Sequence, residues 1–595
     1  MPIANADVAA VFGQIADLLE VQGGNPFRIR AYRSAAQTLG ELGRSLQSMI
    51  ERGDALDTLP GIGPDLAGKI AEVVATGTCE QLESLRRQLP QAITQLLTIP
   101  GLGPKRVRAL NEALAIGTLE ELFSAAREQR IRTVRGFGPE TERRILAAAA
   151  ERISRERRFK LTAAMQVSDA LLAELKAVPG VGQAVAAGSL RRMRETVGDL
   201  DLLVTATRAS PVMTRFTTGS DVRHVLSQGT TRSGVVLRSG LQVDLRAVAP
   251  ASFGAAWMYF TGSKAHNIHL RRLAQDAGLK LNEYGLFRGS RRVAGASEAA
   301  VYRALGLAFI EPELREDRGE IEAAREHRLP QLVSLGDLRG DLHSHTTESD
   351  GHASLEAMAE AARERGLQYL AVTEHSKRLA LARGLDAGRL ARQMVRIDEL
   401  NARLRGIQLL KGVEVDILED GTLDLPDAVL GQLDLVVGAI HHRFDLPRQQ
   451  QTDRLLRAMD HRHFSILAHP TGRLIDERAA YDIDLPRVIG KARERGCFLE
   501  LNAHPSRLDL DDVACRMACD EGVLVSIDSD AHSTLEFDNL RLGIGQARRG
   551  WLRASDVLNT RPLEQLRPLL DATMGRSARR GGRAAAPPRT GASAG

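Results

Sequence analysis

Between Asp341 and His532, seven short apolar runs each stop on a residue able to bind a metal ion. The run 338–342 leads into His343 and His345, 370–373 into Glu374 and His375, and 409–413 into Glu414. The run 433–440 reaches His441, and 464–468 reaches His469. The run 497–501 is followed by His504, and 524–527 by Asp530 and His532. Eleven of the chain's 15 histidines fall in this third, a concentration that a purely structural role does not require. Apolar strands alternating with helices predict parallel strands whose tips converge on one face of an α/β barrel, here with seven strands. Mixed His, Asp and Glu donors suit Mn²⁺, Zn²⁺ or Fe²⁺ better than Mg²⁺.

Composition adds bounds. At 595 residues and about 150 per domain, three or four domains are expected. The net charge of +5 and pI near 9.1 permit nucleic-acid binding without arguing for it. Four cysteines make no disulfide framework, and Cys515 and Cys519 lie one helical turn apart, as on one helix face. The first twenty residues form an amphipathic pattern without the basic start of a signal peptide. No run reaches membrane-spanning length. A cytoplasmic protein that meets no membrane and acts as a monomer is expected.

The first 150 residues read as helices broken by a repeated turn. LPGIGPDLAGKI (59–70), IPGLGPKRVRAL (99–110) and VRGFGPETERRI (134–145) each place an apolar residue before G-x-G-P and a helix. Backbone N–H groups at a helix start suit a phosphate, and glycine lets a DNA backbone approach. Gly61, Gly63, Gly101, Gly103, Gly136 and Gly138 are therefore candidate DNA contacts, against the plainer reading of helix–helix turns. A fourth look-alike, VPGVGQAV (178–185), runs into a strand pattern and reads as a turn only. Lys69, on the helix after the first turn, is either a solvated phosphate contact or an amine able to form a Schiff base with an abasic sugar.

From residue 160 the pattern becomes β-rich. In DLDLLVTA, Asp199 and Asp201 are two apart, so in a strand both carboxylates project from one face while Leu200 and Leu202 face the core. Asp244 sits likewise in LQVDLRAV, the second arm of a hairpin turning at Ser239-Gly240. Three crowded carboxylates repel unless hard cations such as Mg²⁺ sit among them, and Mg²⁺ also binds phosphates. Gly188, Ser189, Arg191 and Arg192, just upstream, offer donors to a triphosphate.

GSLRR, GDLDLL, VDLR, YFTGSKAHNIHLR (259–271) and LNEYGLF (281–287), in this order, closely resemble the family X DNA polymerases, the group of DNA polymerase beta. The resemblance covers residues 1–315. It implies that Asp199, Asp201 and Asp244 are catalytic and bind two metals. Ser189, Arg192 and Gly198 would contact the incoming nucleotide, with Tyr259, Phe260 and Gly262 beside its sugar, Asn267 at its base edge and Lys264 as an added contact. Lys69 falls at the Schiff-base position and Tyr32 at a tyrosine of that pocket. Asp65 and Arg28 replace lysines that help hold the 5′-phosphate, and the acidic change argues against lyase activity; Val197 replaces a phosphate-binding serine, so one contact is lost.

The strand-tip ligands resemble the PHP (polymerase and histidinol phosphatase) domain, which bacterial family X polymerases carry at this end. Nine positions match its ligands: His343, His345, Asp350, His375, Glu414, His441, His469, Asp530 and His532. Up to three ions are implied. His343, His345, Glu414 and Asp530 would hold one, and Glu414, His441 and His469 a second. Asp350, His375 and His532 would hold the third. His442 remains an alternative to His441. His352, His461, His463 and His504 are assigned to the surface or to positions beside the ligands, and Arg443 and Arg507 are candidate phosphate contacts or simply solvated arginines.

The expected architecture is multidomain. A helical helix-hairpin-helix region comprises an end-binding, lyase-like part (1–80) and a DNA-binding part (81–150). An α+β nucleotidyltransferase palm (151–248) and a thumb-like nucleotide-selecting part (249–315) follow. A linker (316–337), a distorted, TIM-like PHP barrel (338–575) and a disordered tail (576–595) complete the chain. The function implied is short-gap repair synthesis on gapped or nicked DNA with dNTPs, joined to 3′→5′ exonuclease, 3′-end-processing or abasic-site activity. The competing readings are a small-molecule phosphoesterase and a DNA-end-binding scaffold with weak catalysis.

Overall fold

The computed structural model describes residues 5–41, 46–59, 61–88, 96, 97, 99, 102–156 and 158–576. Gly101 and the tail from residue 577 lie outside the described residues. Two compact units, Met1–Arg157 and Arg158–Gly595, divide the chain.

The first unit is helical and has two small cores. Phe12, Tyr32, Ile62 and Leu66 belong to one, and Leu102, Val107, Phe137 and Ile145 to the other. The central residue of every G-x-G turn (Ile62, Leu102, Phe137) is thus buried. Each donates its N–H to the carbonyl three residues back: Leu59 at 3.0 Å, Ile99 at 2.9 Å and Val134 at 3.1 Å. Proline then starts the helices Pro64–Thr76, Pro104–Leu114 and Pro139–Glu156, a position where its missing N–H costs nothing.

The second unit opens with β1 (Phe159–Lys160), β2 (Val181–Ala186), β3 (Thr196–Val197), β4 (Asp199–Ala206), β5 (Val222–Gln228), β6 (Arg232–Leu237) and β7 (Gln242–Val248). β1 pairs with β3, while the other five form one sheet in the order β2-β4-β7-β6-β5. Only β4 and β7 run parallel within it. Alternation puts Leu200, Leu202 and Val204 in the core. The β6–β7 hairpin turns at Gly240, whose φ of 89° suits glycine. The look-alike at 178–185 leads into β2, as expected of a turn.

β8 (Lys280–Asn282), β9 (Gly285–Arg288) and β10 (Arg291–Ala294) follow, with the helices Phe253–Thr261 and Lys264–Asp276. The charged stretch after residue 315 contains the expected helix, Glu320–Arg325. It is no loose tether, because Ile321 and Ala324 join the core of this region and wholly buried Glu320 meets His266 Nδ1 at 2.6 Å.

The barrel strands are β11 (Gly340–Asp341), β12 (Tyr369–Val372), β13 (Gln408–Lys411), β14 (Glu414–Asp416), β15 (Val437–Ala439), β16 (Ile466–Leu467), β17 (Phe498–Asn502) and β18 (Val525–Asp528). All pairings are parallel and between successive strands. β13 and β14 are halves of one run interrupted at Gly412-Val413, so seven runs surround the barrel. It closes where Ser344 bridges Ala531 and His345 N–H donates to the Ala531 carbonyl at 2.8 Å. Strands buried on both faces explain continuous apolar runs in place of alternation. No helix among the described residues is long and apolar enough to cross a membrane.

The barrel helix Leu540–Arg549 packs against the polymerase part. Gln546 donates to the Met193 carbonyl at 2.7 Å, and Arg549 to the Arg192 carbonyl at 2.8 Å. Arg549, only 3% exposed, also reaches Glu316 at 2.9 Å and Asp512 at 2.6 Å. Removing this buried cation takes one partner from each carboxylate and leaves Glu316 to Arg192 and Asp512 to Arg318, both at 3.0 Å. Arg549→Ala is expected to lower unfolding free energy by about 3 kcal/mol or more. Chemical denaturation beside Arg541→Ala, which alters an exposed residue of the same helix, is the check.

Candidate active sites

The palm carboxylates meet through strand register. Asp201 on β4 sits directly across from Asp244 on β7, and Asp199 lies two residues away on the same face. Burial first, then the charges of Asp199 and Asp244, push the Asp201 carboxyl up to about 7. Asp199, though exposed to the cavity, is also raised, by partial desolvation and by Asp244. Repulsion of this kind is what a divalent cation relieves. Glycine at 188 lets the backbone pass close to this carboxylate, since a Cβ there would come within 2.5 Å of Asp201 Oδ2.

A cavity of about 620 Å³ opens beside Asp199 and Asp201. Ser189, Arg192, Gly198, Tyr259, Phe260, Gly262, Lys264 and Asn267 all line it. Asp244 faces an adjoining cavity of about 460 Å³ with Arg232 and Gln242. Its carboxylate accepts from Gln242 at 2.8 Å and from Arg232 at 3.4 Å. Asn267 is aimed by its own bond to the Tyr259 carbonyl at 2.7 Å.

Arg191 corrects the reading of both arginines as triphosphate donors. It makes a bidentate pair with Glu298 at 2.7 and 2.8 Å and stacks on Trp257 at 3.4 Å. Arg192 faces the cavity, though Glu316 accepts from it at 3.0 Å and the Thr261 carbonyl also accepts. Sequence reasoning missed the cavity cations Arg158 and Arg271. Arg271 lies one turn after Asn267, so helical periodicity was a usable signal. Nothing in the strand pattern marked Arg158.

In the barrel all nine expected ligands converge at the strand tips. Glu414 is central. Its Oε1 lies 3.0 Å from His469 Nε2 and 3.2 Å from His441 Nε2. Its Oε2 lies 3.5 Å from His343, 3.7 Å from His345 and 2.6 Å from His375 Nδ1. Asp530 Oδ1 lies 3.2 Å from His345 and 3.6 Å from His343. Asp350 lies 3.5 Å from both His375 and His532. Three groups close enough to share an ion emerge: His343–His345–Asp530, His375–Glu414–His441 and His345–Asp350–His375–His532. His345 and His375 each serve two groups, unlike the expected division, because the tips crowd one continuous ring. His469 reaches Glu414 outside these groups.

The donors fit cations. His343 Nε2, His345 Nδ1 and Asp350 Oδ1 are buried without hydrogen-bond partners, which is costly in a protein interior. Burial, then His532 and His375, lower His345 to about 3, leaving a neutral imidazole ready to ligate. Burial opposes charge on His375, but Glu414 and Asp350 outweigh it and raise that ring to about 10.

An outer layer orients these rings. Glu500 accepts from His469 N–H and meets His343 Nδ1, both at 2.6 Å. Asp416 meets His441 Nδ1 at 3.0 Å, and Asn502 donates to Asp530 at 3.0 Å. Sequence reasoning missed all three. The E-x-D spacing of Glu414 and Asp416 was the available signal for one. His441, not His442, reaches Glu414.

Arg507 lies 3.7 Å from Asp530, whereas exposed Arg443 pairs with Asp445. His352 is exposed, and His504 sits beside Asp530. His463 departs from its expected place. It is buried at the start of β16, opposite His469, and bonds the Met574 carbonyl at 2.9 Å.

In the helical unit the glycine turns present open backbone. A Cβ at Gly63, Gly103, Gly136 or Gly138 would meet nothing within 4 Å, so packing does not demand glycine there. Gly61 and Gly136 do need it conformationally, with φ of 75° and 94°. Lys69 is ion-paired with Asp65, one turn earlier. That pairing favours the plain reading of Lys69 over the nucleophilic one.

Family models match four stretches: a helix-hairpin-helix domain at residues 3–79, a SAM-like helix-hairpin-helix tandem at 93–151, the DNA polymerase beta thumb at 256–316 and the PHP domain at 341–504. The DNA polymerase/3′-5′ exonuclease PolX of Bacillus subtilis (strain 168) is 38% identical over 568 residues, 95% of this chain and 99% of that protein. The chain belongs to the bacterial family X DNA polymerases. It is a member with a C-terminal PHP domain. That domain is also similar to smaller proteins. A probable phosphatase of Thermoanaerobacter sp. (strain X514) is 28% identical over 37% of this chain and 89% of its own length. One of Caldanaerobacter subterraneus subsp. tengcongensis is 30% identical over 32% and 75%. The polymerase and PHP domains together imply dependence on divalent cations.

The raised Asp201 carboxyl makes metal-free stability pH-dependent. Between about pH 4 and 7 the folded state binds the proton that the unfolded chain releases, so stability falls as pH rises through that window. Metal-free Asp201→Asn is expected to be more stable than the wild type at pH 8 and to lose that advantage by pH 4. Denaturant titrations in chelator at both pH values provide the measurement.

Proposed function

We propose that this family X polymerase fills short DNA gaps at its palm and trims or cleans 3′ termini at its barrel. The observation that carries the reading is the presence of two separate donor sets in one chain. One is an all-carboxylate set beside a nucleotide-sized cavity, and the other is a nine-residue His/Asp/Glu cage.

At the palm, Asp199, Asp201 and Asp244 would hold Mg²⁺, whose charge favours attack by a primer 3′-oxygen and departure of pyrophosphate. Ser189 and the Gly198 backbone would contact the triphosphate. Arg192 would exchange Glu316 for phosphate oxygens, a stronger charged acceptor. Tyr259, Phe260 and Gly262 would shape the sugar side, Lys264 would add a cationic contact, and Asn267 would meet the base edge. The open glycine turns would grip DNA phosphates without reading sequence.

At the barrel, the cage would hold Mn²⁺ or Zn²⁺, up to three ions, which lower the pKa of a water and neutralise phosphate oxygens. His343, His345 and Asp530 would form one position, with Glu414 shared toward His441 and His469, and Asp350, His375 and His532 would form another. Glu500 and Asp416 would fix the tautomers of His343 and His441. Arg507 would contact the phosphate.

A second reading, a small-molecule phosphoesterase, draws on the phosphatase relatives of the barrel. Hydrolysis of a 3′-recessed duplex and of p-nitrophenyl phosphate separates the two, and faster turnover of the duplex is expected. Asp244→Ala is expected to cut gap-filling by more than about 100-fold and spare 3′ hydrolysis, with His375→Ala doing the reverse. Loss of both activities from either substitution would refute two independent sites.

A further inference from the structure

The three most exposed large apolar side chains among the described residues are Leu381 at 100%, Phe27 at 75% and Leu535 at 74%. Two of them stand at the barrel mouth. Leu381 is six residues beyond His375 and Leu535 three beyond His532, and these two cage rings lie 6.2 Å apart. In barrel order the loop after β11, which carries Asp350, lies between the loop after β12 and the loop after β18.

The loops are fixed. Leu385 N–H returns to the His375 carbonyl at 2.7 Å, closing the Leu381 loop on the cage floor. Within it, Ala382 donates to Leu379 at 3.1 Å and Arg383 to Ala380 at 3.0 Å. His532 N–H is held by Glu536 at 2.7 Å. The middle loop joins both neighbours, since His352 N–H donates to the His532 carbonyl at 2.7 Å and the Ser349 carbonyl accepts from Arg383.

We propose that Leu381 and Leu535 hold the terminal nucleobase of a DNA strand whose 3′ end enters the cage. This rests on the reading of the barrel as a 3′-end nuclease. A nucleotide turned into the cage leaves its stack, and apolar contact on the base replaces part of what is lost. The surroundings suit a nucleic acid in particular. Lys377 is exposed on the Leu381 loop and suits a phosphate backbone, and Arg378 beside it, paired with Glu419 at 2.9 Å, is also exposed. The apolar surface that a polyanion of this kind offers is its bases.

The test is Leu381→Ser/Leu535→Ser in the full chain with Mn²⁺. Two single-stranded oligonucleotides serve as probes, one ending in thymidine and one in a base-free tetrahydrofuran residue. Both leucines are exposed, so the substitutions spare the fold, and unchanged primer extension reports it. The kcat/KM for the thymidine end is expected to fall about tenfold and that for the base-free end less than about twofold, as for apolar burial of a leucine. Leu381→Met/Leu535→Met is expected to restore the thymidine end. Equal falls on both ends, or no fall on either, would overturn the assignment. No cleavage of either end by the wild type would sink the nuclease reading, and this inference with it.

Discussion

Crowding of like groups out of water is the constraint on which both active sites turn. Asp201 faces Asp244 across two parallel strands with Asp199 beside it. In the barrel, six imidazoles and three carboxylates meet at one end. Neither arrangement is favourable by itself, because burial penalises charge and like charges repel. Each is tolerated because a rigid sheet imposes it and because a cation makes it favourable. The same strain that weakens the metal-free palm as pH rises is what gives it affinity for metal.

The two sites solve this problem with different chemistry. The palm uses oxygen donors only and leaves Asp199 exposed, next to an open cavity sized for a nucleotide. The barrel mixes nitrogen and oxygen donors, buries most of them, and backs them with Glu500, Asp416 and Asn502. An open oxygen site suits a cation that arrives with a phosphate, whereas a backed, buried cage suits ions that stay. Arg549 joins the two halves physically. It binds the carbonyl of Arg192, a cavity residue, together with Glu316 and the barrel's Asp512, so the palm cavity and the barrel share one cluster of charges.

Much of both sites was legible in the residues. Period-two alternation placed Asp199 and Asp201 on one face, and apolar runs ending in His or Asp announced strand tips. The G-x-G turns likewise declared their phase, since Ile62, Leu102 and Phe137 are buried alike. Legibility ended where neighbours come from distant segments. Arg191 and Arg192 are adjacent and chemically identical, yet Glu298, 107 residues on, claims one and the cavity receives the other. His463 resembled its neighbours in the histidine-rich third but stands at the wrong end of its strand. Glu500 sits inside an apolar run with no local mark of its role.

The sequence by itself determined which donors exist, their strand and turn positions and the faces they share, because those follow from local periodicity. Tertiary structure alone decided how the donors divide. Register set Asp201 opposite Asp244, and barrel closure brought Asp530 and His532 beside His343 and His345, about 190 residues away along the chain. It also placed His345 and His375 in two groups each and bound Arg192 to Glu316. Such pairings depend on which strand lies next to which, and no short stretch of residues encodes that.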